Sequence, residues 1–283
     1  MKRSVLPANW QSHFFLVIGV AVLVFPVYVA LIGSTWDSAT IARGDLPLRP
    51  GPNALENYLQ AWGKGSGQRV WGVPVAVMML NSLIMAVAIT IGKIAISIIS
   101  SYSVVFFRFP GRMFFFWMIF VTLMLPVEVR IIPTYKVVSD LGMINSYLGL
   151  TIPLIASATA TLLFRQFFLT IPDELVEAAR IDGAGPMRFF WDTVLPLSRT
   201  NIAALFVIMF IYGWNQYLWP LLITTSKEMG TIVIGIVKMI GTGDAQTDWQ
   251  IIMAATVLAM LPPVLIVIFM QRWFVKGLME TEK

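Results

Sequence analysis

Residues 170–196 read Thr170-Ile171-Pro172-Asp173-Glu174-Leu175-Val176-Glu177-Ala178-Ala179-Arg180-Ile181-Asp182-Gly183, then Ala184-Gly185-Pro186, and on from Met187 to Leu195-Pro196. Helix signals bracket the first half. Thr170 followed three residues later by Asp173 resembles a capping box with an acid in place of Glu or Gln. Pro172 falls in the first turn, where its missing N–H is harmless. Glu177-Ala178-Ala179-Arg180 consists of helix formers, and Gly183 stands where a helix should end. The spacing predicts a helix of about three turns, a break, and a second short helix. Leu175, Ala178, Ala179 and Asp182 share one face, flanked by Glu174 and Arg180. The paired alanines let another backbone come close, which suits a knob docking into a groove on a soluble cytoplasmic partner. An amphipathic helix resting on a membrane surface fits the same residues.

What surrounds this polar segment is apolar. The 283 residues are 58% hydrophobic and 12% charged, about half the charged share of a soluble domain, and the mean hydropathy is +0.78. Water cannot solvate so much apolar surface, so lipid must solvate part of it. The composition excludes a disordered chain. With no cysteine and only His13 as histidine, it also excludes a disulfide scaffold and a zinc site, and no metal or cofactor is expected. The formal charge of +5 reads as basic residues held on the cytoplasmic side of a membrane, not as a nucleic-acid footprint.

Six stretches are long enough to cross a hydrocarbon core, which takes about 20 helical residues: 13–33, 78–106, 113–130, 147–168, 201–225 and 250–274, the last with an expected kink at Pro262-Pro263. The first is too long for the apolar core of a signal peptide and lacks a cleavage site, so it reads as a retained helix. Residues 35–76 form a long polar loop rich in Gly, Pro and Trp. With the N-terminus inside, the inner segments hold eleven of the 20 basic residues: Lys2, Arg3, Arg108, Arg112, Arg165, Arg180, Arg188, Arg199, Arg272, Lys276 and Lys283. The outer segments hold eight, and Lys93 lies within a span. This bias places both termini in the cytoplasm. No repeat at a fixed period is visible.

Glu177-Ala178-Ala179, Asp182-Gly183 and the hydrophobic stretch ending in Leu195-Pro196 together resemble the EAA motif of ABC importer permeases. In that family the motif forms a coupling helix seated in a cleft of the ATP-binding subunit. The resemblance assigns ATPase coupling to Glu177, Ala178, Ala179, Asp182 and Gly183. It covers nearly the whole chain and is closest to the carbohydrate, maltose-transporter class, through Leu125 to Tyr135 and Tyr212-Gly213-Trp214-Asn215-Gln216-Tyr217-Leu218-Trp219-Pro220. Within that class, 114–130 and 156–220 look most like the second permease subunit of bacterial sn-glycerol-3-phosphate importers. The resemblance implies an all-α polytopic membrane protein with six transmembrane helices in the type I ABC importer permease fold. It implies an inner-membrane complex with a second permease subunit, a homodimeric ATP-binding subunit and a periplasmic substrate-binding protein. On this reading, 1–76 form an N-terminal helix and periplasmic loop. Residues 77–275 form the permease core, with the coupling helix at 170–183, and 276–283 form a cytoplasmic tail.

The residues themselves agree about energy supply. The chain has no G-x-x-x-x-G-K-[ST]; Gly92-Lys93 is followed by Ile94 inside an apolar span, so ATP hydrolysis belongs to another chain. Lys93 sits near the middle of the second span, where a lysine costs about 2.5–3.5 kcal/mol on insertion scales. Ser82, Ala86, Thr90, Lys93, Ser97 and Ser101 recur at spacings of three and four, a small and polar stripe that should look into the bundle. Either Lys93 adds positive potential to the path of an anionic phosphate, or it pairs with groups on a neighbouring helix. Asn81, Trp214, Asn215, Gln216 and Tyr217 are further path candidates, since amides among aromatic rings suit hydroxyl-bearing solutes; inter-helix bonding explains them equally. Glu128 and Arg130, near the outer end of the third span, suit a gate or a partner-subunit ion pair. The outer loop 226–249, with Gly241, Gly243 and Asp244, is expected to be flexible enough to touch the binding protein. A secondary transporter would need carboxylates deep in a span, and none is there. Glycerol-3-phosphate, a glycerophosphodiester and a neutral sugar or polyol all remain open as the solute.

Overall fold

The computed structural model describes residues 10–44, 46–64, 72–122, 125, 127–240 and 247–280, which form helices joined by turns and loops, with no strand among them. In chain order the α-helices are α1 (Trp10–Gly33), α2 (Ser38–Ala42), α3 (Ala54–Lys64), α4 (Val75–Phe106), α5 (Arg112–Val121), α6 (Val127–Asp140), α7 (Tyr147–Thr151), α8 (Ala158–Phe168), α9 (Asp173–Ile181), α10 (Pro186–Phe189), α11 (Leu195–Leu197), α12 (Arg199–Trp214), α13 (Leu218–Ile223), α14 (Ile232–Met239) and α15 (Trp249–Glu280). His13–Gly33, α4 and Trp249–Gln271 are each long and apolar enough to cross a membrane. Two bent pairs bring the number to five, Tyr147–Leu154 with Ala158–Phe168 at 48° and Pro186–Leu197 with Arg199–Trp214 at 70°. The remaining apolar stretch is the ten-residue α5.

Several spans therefore depart from the expected single helices, and prolines and caps account for it. The third is two helices, α5 and α6, and Leu125 between them is outside either helix, as expected of a residue that precedes a proline in the sequence. The fourth breaks before Ser157, whose hydroxyl accepts from the Ala160 amide at 3.2 Å and starts α8 anew. The fifth ends at Trp214, and α13 begins separately at Leu218. Upstream of it, Pro196 has no N–H for the fourth carbonyl back, and Phe190–Val194 widens into a π-turn. Ser198 Oγ donates to the Val194 carbonyl at 2.6 Å at the bend itself. The expected kink at Pro262-Pro263 does not interrupt α15, as local adjustment can absorb prolines in a membrane helix.

The chain folds as two units. One comprises the described residues up to Ala76 and those of Gly235–Met260. Here the expected polar loop carries α2 and α3. Asp37 caps α2, accepting from the Thr40 amide (3.1 Å) and hydroxyl (2.6 Å), and these bonds hold its carboxyl below the usual range. Buried Asn57 donates to the Ser34 and Trp36 carbonyls at 2.9 and 2.8 Å, tying α3 to the end of α1. The second unit comprises Val77–Ile234 and the described residues from Leu261. Its α4 stripe is buried: Ser97 and Ser101 donate to the Ser157 and Thr161 carbonyls of the α8 turn (3.2 and 2.7 Å), and Gly213 of α12 lies against Ala86. An aromatic core fills the end of this unit beside α9, with Tyr102, Phe164, Phe168, Phe189 and Phe190 packed around Leu205 and Met209.

Candidate coupling and translocation site

Helix α9 begins two residues later than a Thr170 cap would require. Pro172 occupies the N-cap position without a side-chain bond. Thr170 Oγ1 instead donates to the Phe167 carbonyl at 2.7 Å, closing the end of α8. The capping-box expectation is corrected: the Pro172 ring sits between Thr170 and the new helix, and the threonine serves the preceding one. Asp173 and Glu174 in the first turn and Arg180 in the last complement the helix dipole. The far end is a Schellman motif, with Ala184 N–H donating to the Ala179 carbonyl (2.8 Å) and Gly183 N–H to the Arg180 carbonyl (3.0 Å). Gly183 has φ +71°, which explains why a glycine stands there.

The face drawn from the spacing divides in two. Ala179, with Val176, packs on the aromatic core. Leu175, Ala178 and Ile181 form an exposed apolar edge three residues apart, Ile181 at 85%, beside exposed Glu177 and Asp182. The expectation put Ala179 outward with Ala178, but consecutive helical positions lie roughly 100° apart, and one alanine must turn inward. Beyond Gly183, Met187 and Trp191 extend the exposed apolar surface.

In the membrane-spanning part, Lys93 is 6% exposed, and its Nζ stands 3.6 Å from the centroid of the Tyr212 ring. Among the described residues no carboxylate lies within ion-pair distance of it. A cation on a ring face keeps some of the stabilisation lost with water without being neutralised. The Glu128 side chain lies outside the described residues.

Asn81 is tied into the fold. Its Nδ2 donates to the Glu228 and Gly230 carbonyls at 2.7 and 3.0 Å, and its Oδ1 accepts from Tyr147 Oη at 2.6 Å. Neighbouring Ser82 accepts from the Ile232 amide at 2.9 Å, and Asn145 Oδ1 accepts from the Thr225 and Ser226 amides at 2.7 and 2.9 Å. The first part of the outer loop expected to be flexible is therefore pinned and carries α14; Gly241, Gly243 and Asp244 lie outside the described residues. Trp214 is buried and stacks on Phe210 at 5.8 Å, Gln216 Nε2 donates to the Tyr212 carbonyl at 3.0 Å, and Asn215 and Tyr217 are exposed. Tyr212 and Asn145 were not visible as partners in the sequence. Nothing in the spacing pairs residues that lie on different helices.

Residues 93–280 match the family described as the binding-protein-dependent transport system inner membrane component. The chain is 59% identical over 282 residues to the sn-glycerol-3-phosphate transport system permease protein UgpE of Rhizobium meliloti, covering 100% of this chain and 99% of that one. It is 59% identical over 276 residues to UgpE of Brucella melitensis, with 98% of each covered, and 58% over 271 residues to that of Yersinia pestis, with 96% of each covered. Among solved structures, a bacterial ABC transporter involved in the import of the acidic polysaccharide alginate contains a chain of the same fold. Its TM-score is 0.78 at 20% identity, with 93% of this chain and 95% of that one covered.

Proposed function

The chain belongs to the family of binding-protein-dependent transport system inner membrane components, and from that premise we propose that it forms half of the translocation path for sn-glycerol-3-phosphate in an ATP-driven importer. It is a multi-pass inner-membrane permease component and not an enzyme by itself. The observation that carries the solute is the 59% identity, end to end, with permeases named for sn-glycerol-3-phosphate transport. The buried cation Lys93 supports it, since a phosphate path needs positive potential and few carboxylates. Asn81, Trp214, Asn215, Gln216 and Tyr217 belong to the same path, Asn81 by holding the outer loop that borders it.

The complex contains a second permease subunit, a homodimeric ATP-binding subunit and a periplasmic substrate-binding protein. Both termini face the cytoplasm, so α9 does too. Its exposed Leu175–Ala178–Ile181 edge enters a groove of the ATP-binding subunit, Glu177 and Asp182 make polar contacts beside it, and Ala179 anchors the helix to the permease core. Closure of the ATPase dimer on ATP moves α9 as a rigid body. The aromatic core beneath it carries that motion to α4, α8 and α12 and alternates access to the path. The test is uptake of labelled sn-glycerol-3-phosphate by cells lacking their own importer and expressing this chain with its partner subunits. Uptake should require the binding protein. Its absence, with the complex assembled, would refute the assignment of solute.

A further inference from the structure

Beyond Phe106, where α4 ends, a cavity of about 340 Å³ separates the end of that helix from α9. Tyr102, Phe106, Phe107 and Phe189 supply its apolar walls, and Arg108 and Arg180 line it while staying exposed. The walls are held in place: Tyr102 Oη donates to the Pro186 carbonyl at 2.6 Å, and the Tyr102 ring lies 4.9 Å from that of Phe190. Among the described residues no carboxylate lines the cavity. Among the described residues Arg188 pairs with Asp192 and Lys136 with Asp140, whereas neither cavity arginine has an acidic partner. Arg112 donates to the Phe107 carbonyl at 3.5 Å and adds a third cation nearby.

Two guanidinium groups that have no acidic partner among the described residues and flank an apolar cavity suit an anion, and bidentate guanidinium recognition favours phosphate. A small free anion would leave four aromatic rings wet. An anionic amphiphile satisfies both parts, and the cavity's volume falls within the roughly 300–1,000 Å³ of ligand sites. Its position just past the end of a membrane-crossing helix, among basic residues, is where phospholipid headgroups lie. We infer that the cavity holds one anionic phospholipid, its phosphate between Arg108 and Arg180 and its first methylenes on Phe106 and Phe107. The inference rests on the cytoplasmic placement of α9 proposed above. Because Arg108 follows α4 and Arg180 belongs to α9, the lipid bridges the coupling helix to the membrane-spanning helix it moves.

The test is native mass spectrometry of the purified four-subunit complex, counting retained phosphatidylglycerol after exchange from mixed micelles. This readout needs neither solute nor transport, so its failure is separate from failure of the solute assignment. Arg108→Gln and Arg180→Gln should each lower retention about five-fold, the equivalent of roughly 1 kcal/mol per basic residue near an anionic surface. Arg180→Lys should keep most of the lipid, and Arg188→Gln, whose arginine is paired and outside the cavity, all of it. Unchanged retention in both glutamine variants overturns the inference. So does displacement by water-soluble glycerophosphoglycerol as effective as by the lipid, which makes this a site for free phosphate. Loss of the ATP-binding subunit with the lipid retained also overturns it, since the arginines then serve that partner.

Discussion

Replacing Gly183 tests how α9 is held in its docking geometry. The residue has φ +71°, and a Cβ added there meets nothing within 4 Å. Gly183→Ala therefore introduces no clash within the chain, only the cost of holding a β-carbon in the left-handed region, about 1–2 kcal/mol. Relaxing that strain means giving up the two bonds that end α9, from Ala184 to Ala179 and from Gly183 to Arg180. The capped conformation should lose population by about 5–30-fold relative to open forms. Asparagine tolerates this region, as Asn145 does in the same chain at φ 56°, so Gly183→Asn should keep most of the cap. Two assays read the effect: hydrogen exchange of the Gly183 and Ala184 amides, and titration of the ATP-binding subunit onto the permease pair. Alanine should speed exchange and weaken association by about that factor, with asparagine close to wild type. The reasoning is refuted if alanine and asparagine behave alike while Gly183→Trp is far worse. Side-chain volume at the interface would then govern the site, not backbone conformation.

Lys93→Met should assemble as well as wild type, since it removes an insertion cost of about 2.5–3.5 kcal/mol. Its KM for an anionic solute should rise about ten- to a hundredfold, the worth of one charge-assisted hydrogen bond; unchanged uptake with normal assembly would remove Lys93 from the path. Asn81→Ala frees the Glu228 and Gly230 carbonyls and the Tyr147 hydroxyl. It should cost about 1–3 kcal/mol and raise hydrogen exchange between 228 and 232, whereas Tyr147→Phe, losing one bond, should cost about 1 kcal/mol. An added Cβ at Gly213 would lie 2.9 Å from the Ala86 Cα. Gly213→Ala should thus lower the Tm of the complex through overpacking worth about 1–3 kcal/mol, while Gly63→Ala, with open space around it, should leave Tm unchanged or raised.

The sequence made the apolar stretches legible because each buries or exposes a continuous run, and α1, α4 and α15 appear where hydropathy puts them. The stripe from Ser82 to Ser101 was legible for a related reason: helical spacing fixes which residues share a face, and small polar ones are costly against lipid. Gly183 was legible as a helix stop because the left-handed turn demands it. The breaks inside the third, fourth and fifth spans were not, since Leu125-Pro126, Ser157 and Asn215-Gln216-Tyr217 are each compatible with a continuous span when composition alone is weighed. Thr170 misled because a capping residue can serve either the helix before it or the one after, and Pro172 decided the matter. Asn81 and Lys93 stood out as polar groups in apolar surroundings. Their partners, Tyr147, the Glu228–Gly230 carbonyls and the Tyr212 ring, come from remote parts of the chain that only the fold brings together.

The central claim is that this chain carries sn-glycerol-3-phosphate across a membrane on energy supplied by another subunit. It is tested most directly in sealed vesicles containing the purified permease pair and ATP-binding subunits, with the binding protein on the substrate side and ATP on the other. The account predicts accumulation of labelled sn-glycerol-3-phosphate that needs both ATP and the binding protein and persists when ion gradients are collapsed. Accumulation driven by a proton or sodium gradient without ATP, or of a neutral sugar in place of the phosphate ester, would contradict it.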